Sequence, residues 1–255
     1  VSEFTREMIE TTDDKKVVDW TKDKKQNEID YLGILLFGKK SVVDQLTEEF
    51  DLYDSDIEIK TSSKKKSIKQ GIGKLPTRAD AQKLLVKHVK DDYQKLHAKM
   101  VATVLEKMSE KFKGDKDLWY ITGLLHDLDF FEHPEQHPDV ELELFEKLNY
   151  PTELIKAVAA HYFKKTKVMP ESNLDKALLA VDELVGFLYA YSKMRPNGFE
   201  GMAAKSIKKK FKDKGFAAAI DREDIMHGID GLNVDFGEHV NFVISVIGEM
   251  DEFKK

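Results

Sequence analysis

The chain has 255 residues, 41% of them hydrophobic and 35% charged, with a formal net charge of -6. That is enough apolar material for a real core in one large domain, or in a main domain with a smaller partner, and the acidic balance makes general nucleic-acid binding unlikely to be its task. Cysteine is absent, which excludes disulfides, thiolate ligands and thiol catalysis and leaves histidine and carboxylate as the donors for any metal.

The longest apolar cluster near the start, Leu32 to Phe37, is far too short to span a bilayer, and the first thirty residues are too charged for a secretory signal. A cytoplasmic setting without membrane contact is expected. Residues 1–75 mix charges of both signs around one firm hydrophobic segment, Ile29 to Phe37. Residues 41–50 read as a helix, with Val42, Leu46 and Phe50 at i, i+4 and i+8, whereas Ile57 and Ile59 alternate with polar neighbours as in a short strand. The Lys-rich stretch 61–67 and Gly71-Ile-Gly-Lys-Leu-Pro76 read as loop or linker, which places a domain boundary near residue 75. The N-terminal part is thus a smaller extension, open to an α/β structure, and a candidate surface for a protein contact or for homo-oligomer formation.

Beyond residue 75 every segment reads as helix. The periodicity predicts helices over 80–90 and 92–112, the second with Leu96, Met100, Val104 and Met108 on one stripe. Gly114 and Asp115 punctuate the chain before a helix over 117–125. Pro138 falls in the first turn of a helix over 138–148, with Asp139 and Glu141 favourable at its amino end. Thr152 is the expected cap of a helix to about Phe163, and Asn173 precedes a long helix over 174–193 that Arg195-Pro-Asn-Gly198 ends. Helicity resumes over 202–214, then over a short helix from Asp221 to Met226, then over 235–250 with Phe236, Val240, Val243, Ile244 and Ile247 on one face. The expected fold is one all-α domain from 76 to 255, its C-terminal helices packed on it as a cover.

The organising stretch is Trp119-Tyr-Ile-Thr-Gly-Leu-Leu-His-Asp-Leu-Asp-Phe-Phe131. His126 and Asp127 sit side by side among apolar residues, where an ionised carboxylate is costly without a metal or a charged partner. Asp182 is in similar company, with Leu178 at i-4 and Val185 at i+3 on its own helical side. His97 lies within the 92–112 helix and His161 ends the one after Val158-Ala-Ala160. Imidazole and carboxylate groups from separate helices can converge in a helical core on a divalent ion.

His97, the His126-Asp127 pair and the distant Asp182, with Gly-Leu-Leu-His-Asp and Ala-Val-Asp-Glu-Leu-Val-Gly around them, resemble the HD superfamily of metal-dependent phosphohydrolases. The likeness covers roughly residues 90–215 and, through the Lys-rich Ser206 to Lys214, extends to its small bacterial HDIG-like branch; residues 1–75 resemble no family. The resemblance implies an HD-type helical bundle holding one or two divalent ions (Mn, Mg, Fe, Co, Ni or Zn). In the binuclear form Asp127 bridges, His97, His126 and Asp182 complete one ion, and His137 and His161 serve the other, with His133 competing for the place of His137. The implied activity is hydrolysis of a phosphate ester of a small molecule, a nucleotide among the candidates. The same ligand set also fits a di-iron oxygenase branch of the superfamily, and a noncatalytic nucleotide-sensing module is the third class.

Lys164, Lys165 and Lys167 follow His161, and Arg195 follows the Asp182 helix; each is a candidate for neutralising phosphate charge, Lys164 and Lys165 foremost. Asp129 and Glu132, just past the pair, are candidates for a general acid or for orienting a ligand histidine. Six lysines lie between Lys205 and Lys214, but with only Phe211 and Phe216 as aromatic neighbours they read as a solvated helix face rather than a nucleic-acid platform. His88, His227 and His239 match no metal position and read as ordinary structural or surface residues.

Overall fold

Ten α-helices and a final 3-10 turn make up residues 73–254, which are the residues the structure, a computed structural model, describes. The expectations at 29–37, 41–50, 56–61 and most of the 61–76 linker fall outside them. In chain order the helices are α1 Arg78–His88, α2 Asp92–Phe112, α3 Lys116–Leu125, α4 Asp139–Lys147, α5 Thr152–His161, α6 Phe163–Thr166, α7 Asn173–Lys193, α8 Ala204–Phe211, α9 Arg222–Gly231 and α10 Phe236–Gly248. No strand occurs among the described residues, and no helix among them is long and apolar enough to cross a membrane.

Local signals explain most of the boundaries. Thr77, Asp91, Asp115, Asp221 and Asp235 each cap a helix by accepting a backbone N–H of the first turn. At α7 the cap is Ser172 rather than Asn173, in a reciprocal box with Asp175. Thr152 does not cap α5: it is the first helical residue, Pro151 precedes it, and no side chain caps the end. The short helix expected to stop at Met226 continues to Gly231 because Ile225 and Ile229 carry its apolar face into the core. The helix expected over 202–214 is shorter, because Ala204 and Ile207 are its only buried residues.

Two apolar clusters form the interior. One joins α2, α7, α9 and α10 through residues such as Met100, Val104, Leu184, Phe187 and Val243. The other joins α1, α3, α4 and α5 through Leu85, Ile121, Leu125, Phe145 and Leu154. The loop ahead of α1 belongs to this second cluster: Lys74 N–H donates to Asn149 O at 2.9 Å and Leu75 packs against the core.

Two glycines set the helix spacing. A Cβ on Gly123 would lie 2.8 Å from the Ala102 backbone, so α3 reaches α2 nearly backbone to backbone; one on Gly228 would lie 2.4 Å from the Ala180 backbone, which does the same for α9 on α7. The close approach of α3 to α2 brings His126 to His97, and α7, packed on α2 through the first apolar cluster, adds Asp182.

Candidate metal centre

His126 is the residue that follows the last turn of α3, and His161 is the last residue of α5. Carbonyls at a helix end lack intrahelical partners, and each imidazole uses one of them. His126 Nδ1 donates to Gly123 O at 2.8 Å, and His161 Nδ1 donates to Val158 O at 2.5 Å. His137 lies in the turn before α4 and donates Nδ1–H to Asp129 Oδ1 at 2.7 Å. With Nδ1 committed as donor, the Nε2 atom of each neutral ring carries the lone pair.

These lone pairs converge. His137 Nε2 and His161 Nε2 face each other at 3.1 Å, and Asp127 Oδ1 lies 3.4 and 3.6 Å from them. His126 Nε2 is 3.1 Å from Asp182 Oδ1 and 3.5 Å from Asp127 Oδ2, while His97 Nε2 is 2.9 Å from the same Asp182 oxygen. The donor atoms therefore form two groups, His97–His126–Asp127–Asp182 and Asp127–His137–His161, each with its atoms within 4.8 Å of one another and with Asp127 in common. Facing acceptors repel unless a proton or a cation lies among them, and an all-N/O set of this kind suits a divalent ion. The residues present thus fit the metal that the sequence implies. His97 is the least supported of them, since its buried Nδ1 has no hydrogen-bond partner among the described residues.

The electrostatics have the same sense. Burial would lower the pKa of His126, but the carboxylates of Asp127 and Asp182 override it and raise the ring to about 9. Burial would raise Asp127, yet the charge of His126 and the contacts of His161 and His137 hold it well below the usual carboxylate range. Asp182 is depressed in the same way by His126 and His97.

Behind His137 lies a feature that the sequence reading missed. Asp129 and Glu141 clasp each other: Glu141 N–H donates to Asp129 Oδ2 at 2.9 Å, and Asp129 N–H donates to Glu141 Oε2 at 3.2 Å. Glu141 is 1% exposed, and burial followed by the charges of Asp129 and Asp127 pushes its carboxyl well above the ordinary range. Its position in the first turn of α4 reads from sequence only as a favourable helix-start acid. Asp129 is a buried partner of His137 and is 4% exposed, which leaves it no access to a reacting group.

The other candidates are placed differently. Glu132 is outside the donor groups among the described residues and pairs with His88 Nδ1 at 3.4 Å on the surface. Lys164 lines the cleft but is ion-paired to Asp221 and to Asp224, the latter at 2.8 Å. Lys165 also lines the cleft, with Nζ donating to the carbonyls of Glu135 and His137 at 2.9 and 2.6 Å. Lys167 Nζ donates to Lys164 O and Arg195 to the carbonyls of Gly198 and Glu200, so both serve their own turns. His133 is in none of the donor groups among the described residues. Of the lysines between 205 and 214, only Lys210 is not exposed, and none of the six lines the cleft.

The cleft over the cluster has a volume of about 580 Å³. Tyr93, Phe130 and Tyr162 stand around its mouth, each more than 40% exposed. One part of its wall is Ala219 to Asp221, the end of a non-helical stretch held by Arg222, whose guanidinium donates to five carbonyls, those of Phe211, Asp213, Phe216, Ala217 and Ile220. Glu183 lines the cleft beside Asp182, and burial and the charge of Asp182 raise it to about 8.

Residues 96–185 match the family model described as HD domain, a span that begins just before His97 and ends just after Asp182. Residues 1–54, in which the sequence reading found no resemblance, match a family described as a protein of unknown function (DUF2000). No curated protein and no solved structure matches the chain. Within this all-helical bundle, the residues 96–185 that match the HD domain model hold clustered histidines and aspartates suited to metal-activated catalysis.

Proposed function

We propose that this protein is a metal-dependent phosphohydrolase, a phosphatase or phosphodiesterase, that cleaves a phosphate ester of a small molecule, with a nucleotide as one candidate class. The observation that carries the reading is the pair of donor groups sharing Asp127 at the floor of an open cleft. Divalent ions held there would lower the pKa of a water toward neutrality and neutralise charge on phosphoryl oxygens. His97, His126 and Asp182 would hold one ion and His137 and His161 a second, with Asp127 common to both.

The remaining residues position and screen. The backbone carbonyls of Gly123 and Val158 and the Asp129 carboxylate fix three imidazoles in the tautomer that presents Nε2 to the centre. Lys165, anchored to the carbonyl of His137, places an ammonium at the phosphate end of the cleft. Membership of the small bacterial HDIG-like branch, and a two-part chain with a boundary near residue 75, belong to the same proposal. They rest on the sequence around His126 and Asp182 and on the separate matches at 1–54 and 96–185.

The test is a panel of phosphomonoesters and phosphodiesters assayed with Mn, Mg, Fe, Co, Ni and Zn, comparing the wild type with Asp127→Ala. Phosphate release with one of the metals, lost in the variant, is expected. Dioxygen uptake with iron and no phosphate release would instead assign the oxygenase chemistry; nucleotide binding without turnover under any metal would assign a sensing module.

A further inference from the structure

Among the glycines inside described helices, Gly186 stands apart. Glycine is among the least favourable residues in a helix interior, and at Gly123 and Gly228 a close backbone contact accounts for it. At Gly186, in the middle of α7, no backbone crowds the position. A Cβ there would meet Tyr93 Oη and Ile220 Cδ1, each at 3.6 Å, which is ordinary van der Waals contact. Packing therefore does not require glycine; what the missing side chain leaves open is the cleft itself, which Gly186, Tyr93 and Ile220 all line.

The position relative to the donor cluster is equally informative. Gly186 is four residues after Asp182, on the same side of α7 and about 6 Å further along the helix axis. A phosphate seated at the donor cluster would thus have Gly186 within one helical turn along the cleft, with the Tyr93 phenol and the Ile220 methyl beside it. That part of the cleft is unsuited to a second phosphate. Asp221 and Asp224 line the same cleft as Gly186, and both are ion-paired with Lys164, so a second anion near them would meet carboxylates whose described lysine partner is already engaged.

We propose that Gly186 is the floor of a slot for the organic group of the substrate, and that this group is compact, apolar-faced and without a second phosphate. The inference rests on the phosphohydrolase reading and names the substrate class for it. Gly186 would then set specificity by size, with Tyr93 and Ile220 as the slot walls.

The experiment uses the full chain loaded with cobalt(II), comparing wild type, Gly186→Ala and Gly186→Leu by calorimetric titration. Inorganic phosphate probes the centre and phenylphosphonate probes centre and slot together. Expected results are unchanged cobalt stoichiometry and unchanged phosphate affinity in both variants, with phenylphosphonate weakened at least about tenfold in Gly186→Leu, an effect of the size that loss of one well-formed apolar contact brings. Equal phenylphosphonate affinity in wild type and Gly186→Leu would overturn the slot, as would tighter binding of inorganic pyrophosphate than of phenylphosphonate by the wild type. If Gly186→Leu does not fold, Ile220→Ala reads the slot from its opposite wall: selective weakening of phenylphosphonate supports it and unchanged affinity overturns it. Failure of the wild type to bind phosphate or to release it from any ester with any metal would sink the hydrolase reading itself, which separates the two failures.

Discussion

The two halves of the donor cluster offer similar atoms but are built in different ways. His97 and Asp182 project from the interiors of α2 and α7, the two longest helices among the described residues, and their separation depends on how α2 and α7 pack. His137 and His161 sit at a turn and a helix end, where a buried Asp129–Glu141 clasp and a free carbonyl hold the rings. Apart from His126, which a carbonyl holds as it does His161, the first half is thus positioned by the core and the second by polar contacts behind it. The two should respond to different insults.

The largest effect is expected from Asp127→Ala, because Asp127 is common to both halves. Metal stoichiometry by elemental analysis should fall for both, and activity should drop by far more than the roughly 10 to 100-fold typical of residues behind the ligands. Retention of both ions would break the shared-ligand account. Asp129→Ala comes next and should weaken only the His137–His161 half, by about 10 to 100-fold in metal affinity. A biphasic metal titration with only one of its steps shifted would sharpen the contrast, whereas a uniform shift would erase it.

A pH dependence probes the platform under the other half. His239 on α10 is 5% exposed and donates Nε2–H to Ala180 O at 3.2 Å, two residues before Asp182, and burial lowers its pKa from 6.5 to about 4. The unfolded chain binds this proton more readily than the folded one. The contribution to stability is therefore complete above about pH 6.5 and is lost as the pH falls toward 4, amounting to at most about 3 kcal/mol. Denaturant unfolding of wild type and His239→Gln across that range should show a stability difference that varies with pH; a constant difference would reject the assignment.

Gly123→Ala should cost about 1 to 3 kcal/mol by forcing α3 from α2, and thermal melting with a metal titration should show the His97–His126 half weakened first. The smallest effect belongs to Glu132→Gln. Its exposed pairing with His88 predicts a stability change within about 0.5 kcal/mol and no change in metal binding; a loss of either would restore Glu132 to the centre.

Residues 1–72 and the described bundle also differ in how far the sequence carries. From residue 76 onward the helices were legible from apolar spacing and capping residues, because both signals are local: Asp115 and Asp221 announce their helices, and Leu96 to Met108 repeat on one stripe. The His-Asp pair, His97, His161 and Asp182 were legible as polar residues in apolar surroundings and as a family resemblance. Glu141 was not, because an acid in the first turn of a helix has a sufficient local explanation and only its burial against Asp129 reveals another role.

By itself, then, the sequence determined an all-helical chain beyond residue 76 and the residue types available to a metal, since periodicity, capping and the absence of cysteine are properties of the chain alone. The tertiary structure decided which of these residues meet. The approach of α3 to α2 at Gly123 brings His126 to His97, His137 rather than His133 stands among the described donor groups with Asp129 behind it, and Glu132 pairs with His88 at the surface. Gly186 became informative in the same way, because whether a glycine is a packing necessity or an open floor depends on what stands 3 to 4 Å from an absent Cβ, and no one-dimensional pattern contains that distance.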